Sequence, residues 1–120
     1  MILPKPTAIL FDWDNTLVDT WPTITRCYNV VFAAFGMDHW TEDDTRTRAH
    51  GSLRDVFPSL FGDRAGEAER IFYETFLRIH LERLQPLPGA DTLLAHCREA
   101  GCYVAVVSNK VCANLRTEMT

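Results

Sequence analysis

The sequence has no apolar run long enough to cross a bilayer, which takes about 20 consecutive apolar residues, so a membrane partner is not expected. Positive charge is also in deficit: 12 lysines and arginines stand against 16 aspartates and glutamates, leaving a net charge of −4. A nucleic-acid footprint would be basic and clustered, so none is expected. Cysteine is sparse and unpatterned. Cys27, Cys97, Cys102 and Cys112 form no Cys-x-x-Cys pair and no zinc-ligand spacing. They read as buried thiols of a reducing compartment, where disulfide frameworks are rare. The amino end, Met1-Ile2-Leu3-Pro4-Lys5-Pro6, lacks the apolar centre of a secretory signal, and a cytoplasmic protein is expected. There is no internal repeat and no low-complexity tract. What remains is 120 residues with 47% hydrophobic content, the size and composition of an ordinary globular domain.

The stretch from Ala8 to Leu17 organises the rest. A short apolar run, Ala8-Ile9-Leu10-Phe11, follows Pro6 and ends in Asp12-Trp13-Asp14-Asn15, which predicts a buried strand leaving a sheet. Residues two apart on a strand face the same way. Asp12 and Asp14 are therefore expected to meet at the strand's carboxyl end, where open α/β sheets bind their ligands. Two carboxylates there repel each other unless a cation or a shared proton intervenes. Mg²⁺ suits such a site, being a hard ion that takes carboxylate oxygens and keeps phosphate and water as further ligands. The chemistry that follows is covalent phosphoryl transfer: one carboxylate attacks phosphorus, and the other moves protons at the leaving oxygen and the attacking water. A plainer reading keeps the same residues as a strand and an Asx turn with solvated acids. The apolar run before the acids and Asn15-Thr16-Leu17 after them make the match to a site more specific.

Beyond it, Asp19 or Thr20 is placed to cap a helix with Pro22 in its first turn. Ile24, Tyr28, Val31 and Phe35 recur at helical spacing and Gly36 supplies the stop. A second helix opens at Thr41-Glu42-Asp43-Asp44 and runs to His50. A third covers Leu53 to Leu60, weakened by Pro58. A fourth, Glu67 to Leu84, carries Ile71, Phe72, Phe76, Ile79 and Leu84 on one apolar face. Pro86-Leu87-Pro88-Gly89 then breaks regularity. Asp91 to Ala100 reads as helix, Tyr103 to Val107 as a second buried strand and Val111 to Met119 as helix. This order predicts an α/β domain made of residues 1–18 and 86–120, interrupted by a helical insertion at 19–85. Ser108 lies between the second strand and the last helix, and a hydroxyl with backbone N–H groups at a helix amino end makes a ready anion site. Capping of that helix by Ser108 or Asn109 accounts for the same residues. Lys110, beside them, is placed to hold a further anionic group on a substrate.

Phe11-Asp12-Trp13-Asp14-Asn15-Thr16-Leu17-Val18-Asp19-Thr20 resembles the first motif of the haloacid dehalogenase-like (HAD) hydrolases, in the branch that holds phosphoglycolate phosphatase and β-phosphoglucomutase. The resemblance implies an α/β, Rossmann-like core with an α-helical cap inserted just after that motif. It implies Asp12 as nucleophile, Asp14 as acid/base, and Mg²⁺ bound by the Asp12 carboxylate and the Asp14 main-chain carbonyl. Ser108 matches the second motif, whose hydroxyl bonds the transferring phosphoryl group, with Asn109 and Lys110 beside it. Asp14 separates the chain from the dehalogenases themselves, because a halide leaves without a proton. Within the insertion, Arg48-Ala49-His50-Gly51-Ser52-Leu53-Arg54 resembles the cap loop that faces the active site in this branch. Gly51 and Arg54 match a Gly-x-x-Arg whose arginine holds a substrate phosphate, a task its planar fork of donors suits, and His50 stands next to it. A solvated helix face explains Arg46, Arg48 and His50 equally well. Gly62-Asp63-Arg64-Ala65-Gly66-Glu67 imitates the family's fourth motif, but it sits inside the insertion, where Asp63 reads as a helix cap.

Family members continue beyond the second motif with a lysine, further strands and an acidic pair, whereas this sequence reaches Thr120 twelve residues after Ser108, with Glu118 as its only acid past Lys110. The expectation is an amino-terminal portion of a Mg²⁺-dependent phosphomonoester hydrolase acting on a small phosphorylated metabolite, inactive alone. Its unfinished sheet would offer an edge for a homodimer. A phosphomutase of the same family, and a noncatalytic fragment that binds a partner, are the competing readings.

Overall fold

The computed structural model describes residues 3–120; Met1 and Ile2, part of the amino end read above for a signal, lie outside the described residues. The chain divides into two compact units, one made of residues 1–20 and 84–120 and the other of residues 21–83. The sequence reading put these breaks two residues away, at 18/19 and 85/86.

The first unit is α/β. Strand β1 (Ala8–Phe11) pairs in parallel with β4 (Tyr103–Val106), in the register Ala8 with Tyr103 through Phe11 with Val106. The ladder extends one rung at each end, where Tyr103 N–H donates to Thr7 and Val107 N–H to the Phe11 carbonyl. Strands β2 (Val18–Asp19) and β3 (Gln85–Pro86) form a short antiparallel ribbon where the chain leaves and re-enters this unit. Helices α5 (Ala90–Glu99) and α6 (Cys112–Met119) follow β3 and β4. Gly89 opens α5 at φ +87, a left-handed conformation that costs a glycine little.

The two central strands depart from expectation. Their continuous apolar runs predict strands buried on both faces, yet both alternate between exposed and half-buried residues. Ile9, Phe11, Val104 and Val106 occupy the half-buried face, while Leu10 is 66% and Tyr103 81% exposed on the other. A two-stranded sheet has helices enough for one face only.

The second unit is all helix: α1 (Trp21–Phe35), α2 (Glu42–Arg48), α3 (Leu53–Phe61) and α4 (Ala65–Ile79), with a 3₁₀ turn at Gly62–Arg64. α1 ends where Gly36 takes φ +68 and Met37 N–H reaches back to the Phe32 carbonyl, the six-to-one bond of a glycine stop. α2 starts on a reciprocal capping box in which Thr41 Oγ1 accepts from Asp44 N–H and Asp44 Oδ2 from Thr41 N–H. Tyr28, Val31, Phe32, Phe57 and Phe72 are almost fully buried together. The Tyr28 ring lies within 6 Å of Phe32, Trp40, Phe57 and Phe72, stacked on Phe32 and tilted or edge-on to the other three, arrangements that suit aromatic quadrupoles.

Three sequence expectations are corrected here. α2 stops at Arg48, short of His50. α4 stops at Ile79 rather than Leu84, because helices in proteins are held by packing of their apolar face and Leu81 is 52% exposed. Asp63 caps nothing: it lies within the 3₁₀ turn, and α4 starts from Arg64. The cysteines are all free; Cys27 and Cys97 are buried as expected, but Cys112 is exposed.

Candidate active site

β1 ends at Phe11, one residue before Asp12, so strand alternation does not carry the two aspartates. A tight loop does. The Trp13 carbonyl accepts from the N–H groups of Thr16, Leu17 and Val18 within 3.3 Å, and Asn15 N–H donates to the Val18 carbonyl. Closing that loop puts Asn15 at φ +59, a left-handed conformation that asparagine tolerates better than most residues. The Asn15 side chain then accepts from Thr20 N–H at 2.9 Å. Asn15 is thus a structural requirement of the motif.

Asp12 is exposed and its Oδ1 accepts from the N–H of Trp13. The rung between Phe11 and Val107 places the next residue of each strand, Asp12 and Ser108, at the same end of the sheet. Ser108 does not cap α6, which starts from Val111 without a side-chain cap. Its Oγ instead accepts from Lys110 N–H at 3.0 Å, a serine turn that shapes the loop between β4 and α6. Ser108, expected at the helix amino end, therefore lies in the loop, four residues before Cys112, the first residue of α6.

Lys110 does more than the sequence indicated. Its Nζ lies 2.8 Å from Asp14 Oδ1 and 2.6 Å from Glu118 Oε2. Asp14 Oδ1 also accepts from the Thr20 hydroxyl at 2.7 Å, and Glu118 Oε2 from the Trp13 indole N–H at 2.8 Å. The lysine side chain is 8% exposed and that of Glu118 only 1%, so this pair is screened little by water. Glu118 was visible in the sequence only as the lone acid after Lys110. Trp13 gave no polar signal, and Thr20 read as a helix cap. The signal available was the eight-residue separation of Lys110 and Glu118, which a loop followed by a helix folds back on itself.

Among the described residues no three or more His, Cys, Asp or Glu side chains stand together as a metal cluster. Asp12 and Asp14 nevertheless offer hard oxygen donors, the class Mg²⁺ takes, with most of the shell left to water and phosphate. In the helical unit, His50 and Arg54 are both exposed. His50 lies between α2 and α3, and Arg54 is in the first turn of α3. Gly51 between them takes φ +91, and Ser52 donates to Asp55 at 2.9 Å.

The model of the family described as haloacid dehalogenase-like hydrolase matches residues 9–120. The chain belongs to the haloacid dehalogenase-like hydrolases. It is 29% identical over 120 residues to a phosphoglycolate phosphatase of Caulobacter vibrioides, covering 93% of this chain and 50% of that protein. It is 32% identical over 111 residues to an N-acetylmuramic acid 6-phosphate phosphatase of Pseudomonas aeruginosa, covering 86% of this chain and 48% of that one. Among solved structures, a haloacid dehalogenase-like family protein of Streptococcus pneumoniae superposes with a TM-score of 0.84 at 22% identity, covering 94% of this chain and 54% of its own; at that identity the likeness shows the fold. The chain spans about half the length of the curated relatives it matches. The α/β class expected from the sequence holds, and so does the family.

Proposed function

We propose that the whole protein is a Mg²⁺-dependent phosphomonoester hydrolase that works through an aspartyl-phosphate on Asp12. The observation that carries this reading is the rung between Phe11 and Val107, which brings the Asp12 and Ser108 loops to one end of the sheet. Asp12 would attack phosphorus. Asp14 would give a proton to the leaving oxygen and take one from the attacking water. Ser108 would receive a phosphoryl oxygen, with Asn109 and Lys110 beside it. The Asp12 carboxylate and the Asp14 carbonyl would hold Mg²⁺, which when bound neutralises charge developing on the transferred group. A small phosphorylated metabolite is the substrate class, supported by the phosphatase names among the relatives. The unit of residues 21–83 would serve as the cap, with Arg54 and His50 selecting the substrate and the β2–β3 ribbon as hinge. Free cysteines support a cytoplasmic setting. The 120 residues alone are expected to turn over little, since catalytic groups act as a unit. The open sheet face supports association of this chain with a second copy.

The test is to trap the intermediate. Rapid quench with a phosphorylated substrate, or beryllofluoride in place of phosphate, should modify Asp12 in the whole protein, and Asp12→Asn should abolish the adduct. An adduct on Asp14 would overturn the assignment.

A further inference from the structure

The carboxylate of Glu118 is almost completely buried on α6, far along the chain from the first motif, and it is neither a nucleophile nor an acid/base in the mechanism above. A buried carboxylate is costly unless paired and hydrogen-bonded. Here both conditions are met, and both partners belong to the site: Lys110 Nζ at 2.6 Å and the indole N–H of Trp13 at 2.8 Å. Trp13 stands between the two aspartates in sequence. Lys110 Nζ also lies 2.8 Å from Asp14 Oδ1, the oxygen that receives the Thr20 hydroxyl at 2.7 Å. Two donors entering one oxygen from different elements fix the plane of a carboxylate, whereas either alone would leave it free to rotate. Glu118 therefore sits at the far end of a chain of contacts whose near end is the proposed proton-transfer group.

We propose that Glu118 is a positioning residue: with Trp13 it anchors the Lys110 ammonium on Asp14, so that the lysine orients the acid/base carboxylate instead of serving chiefly as a ligand of the substrate. The proposal deepens the phosphatase reading and rests on it for its catalytic consequence, but the geometry it asserts is independent of any activity. Lysine suits this role, because an ammonium is a compact charge with three donors that can bridge two carboxylates. Its loop is shaped to deliver it, since Ser108 Oγ accepts the Lys110 N–H.

Two measurements separate this proposal from the activity it rests on. The first needs no turnover. With the aspartate side chains labelled in ¹³C, Glu118→Gln in this chain should shift the carboxylate signal of Asp14, with which it shares the Lys110 ammonium, and should move the indole N–H signal of Trp13. Lys110→Met should shift the same Asp14 signal, and Trp13→Phe, which keeps an aromatic ring but loses the indole donor, should shift it less. An Asp14 signal that stays put in folded Glu118→Gln protein would overturn the proposal whether or not the protein is a phosphatase. The second uses the whole protein with Mg²⁺. Glu118→Gln is expected to lower kcat on alkyl phosphates about tenfold, a part of the 10²–10⁴ that a positioned proton donor contributes, with KM within a factor of two. The loss should be smaller on p-nitrophenyl phosphate, and Glu118→Asp should recover part of it. A raised KM with unchanged kcat would show Lys110 acting as a substrate ligand and would also overturn the proposal. If no variant and no wild-type protein turns over, the phosphatase reading fails and the spectra still decide the anchoring.

Discussion

The two units solve the problem of burial in opposite ways. The helical unit hides Cys27, Tyr28, Val31, Phe32, Phe57 and Phe72 in one cluster, which is the largest stabilising term a unit of this size can draw on. The α/β unit buries little along its two parallel strands, which stay half open on one face and open on the other. Thr20 and Glu118 are its buried polar residues among those described, and Glu118 accepts from the indole of Trp13 in the first-motif loop. The comparison teaches that stability and chemistry are divided between separate stretches of this chain. The residues with a core carry none of the proposed catalytic groups, and the residues that do carry them are held by hydrogen bonds, ion pairs and a tight loop.

If that division is real, the largest effect should come from the helical core. Phe57 is 1% exposed and meets Tyr28, Phe61 and Phe72 ring to ring. Phe57→Ala should cost about 3–5 kcal/mol through lost transfer energy and an unfilled cavity. Urea unfolding followed by helical circular dichroism would measure it. A cost below about 1 kcal/mol would mean that the cluster is loosely packed and that the contrast between the units is false.

How far the sequence could be read differs between the units for the same physical reason. The helices were legible because their signals are local: Gly36 stops α1, Thr41 and Asp44 start α2, and aromatic spacing marks the face of α4. The ends of α2 and α4 were not, since they depend on which apolar residues find a surface to cover. Both strands were placed by their apolar runs, but their exposure depends on how many neighbours the sheet has, which a run cannot state. At the site, Asp12, Asp14 and Ser108 announce themselves by motif. The tie from Trp13 and Glu118 through Lys110 to Asp14 does not, because it joins residues more than 90 positions apart whose polarity is ordinary at each place.

The second test of the contrast is alkaline pH. Burial pushes the Cys27 thiol up from 9.0 to about 12, against a smaller opposite pull from Arg26 and Arg78. A raised folded-state value means that the neutral thiol's stabilisation is complete below pH 9.0 and is lost as pH rises toward about 12. Wild-type stability should therefore fall across that window by a few kcal/mol more than that of Cys27→Ala, whose slope lacks this thiol. Equal slopes in denaturant titrations at pH 8 and pH 11 would show that water reaches Cys27 and that the core is open. Burial raises Tyr28 in the same direction, so the variant should keep some slope.

A third test acts within the same core. Among the described residues, the Tyr28 hydroxyl is a fully buried side-chain oxygen with no hydrogen-bond partner. Leaving such a group dry costs about 1–3 kcal/mol. Tyr28→Phe keeps the ring stack and should raise the midpoint of unfolding, by an amount near the lower end of that range. A loss of stability would instead reveal a water held by the hydroxyl.

The smallest effect is expected on the open face of the sheet, and it is the counterpart of the first. Tyr103 has the apolar bulk of a core residue and sits on a central strand, so sequence logic assigns it a large role. In the structure it is 81% exposed, paired across from Ala8. Exposed substitutions away from caps, ion pairs and strained backbone fall within about 0.5 kcal/mol. Tyr103→Thr retains strand propensity while removing the ring, so the unfolding midpoint of the isolated chain at low concentration should hardly move. What should change is association. An exposed apolar strand face invites another sheet or chain, and Leu10, 66% exposed, lies on the same face. Sedimentation velocity over a concentration series should show wild type self-associating more than Tyr103→Thr, and more still than Leu10→Thr combined with it. A loss of 2 kcal/mol or more in dilute Tyr103→Thr protein would place this face in a core, and the two units would then differ less than their burial suggests.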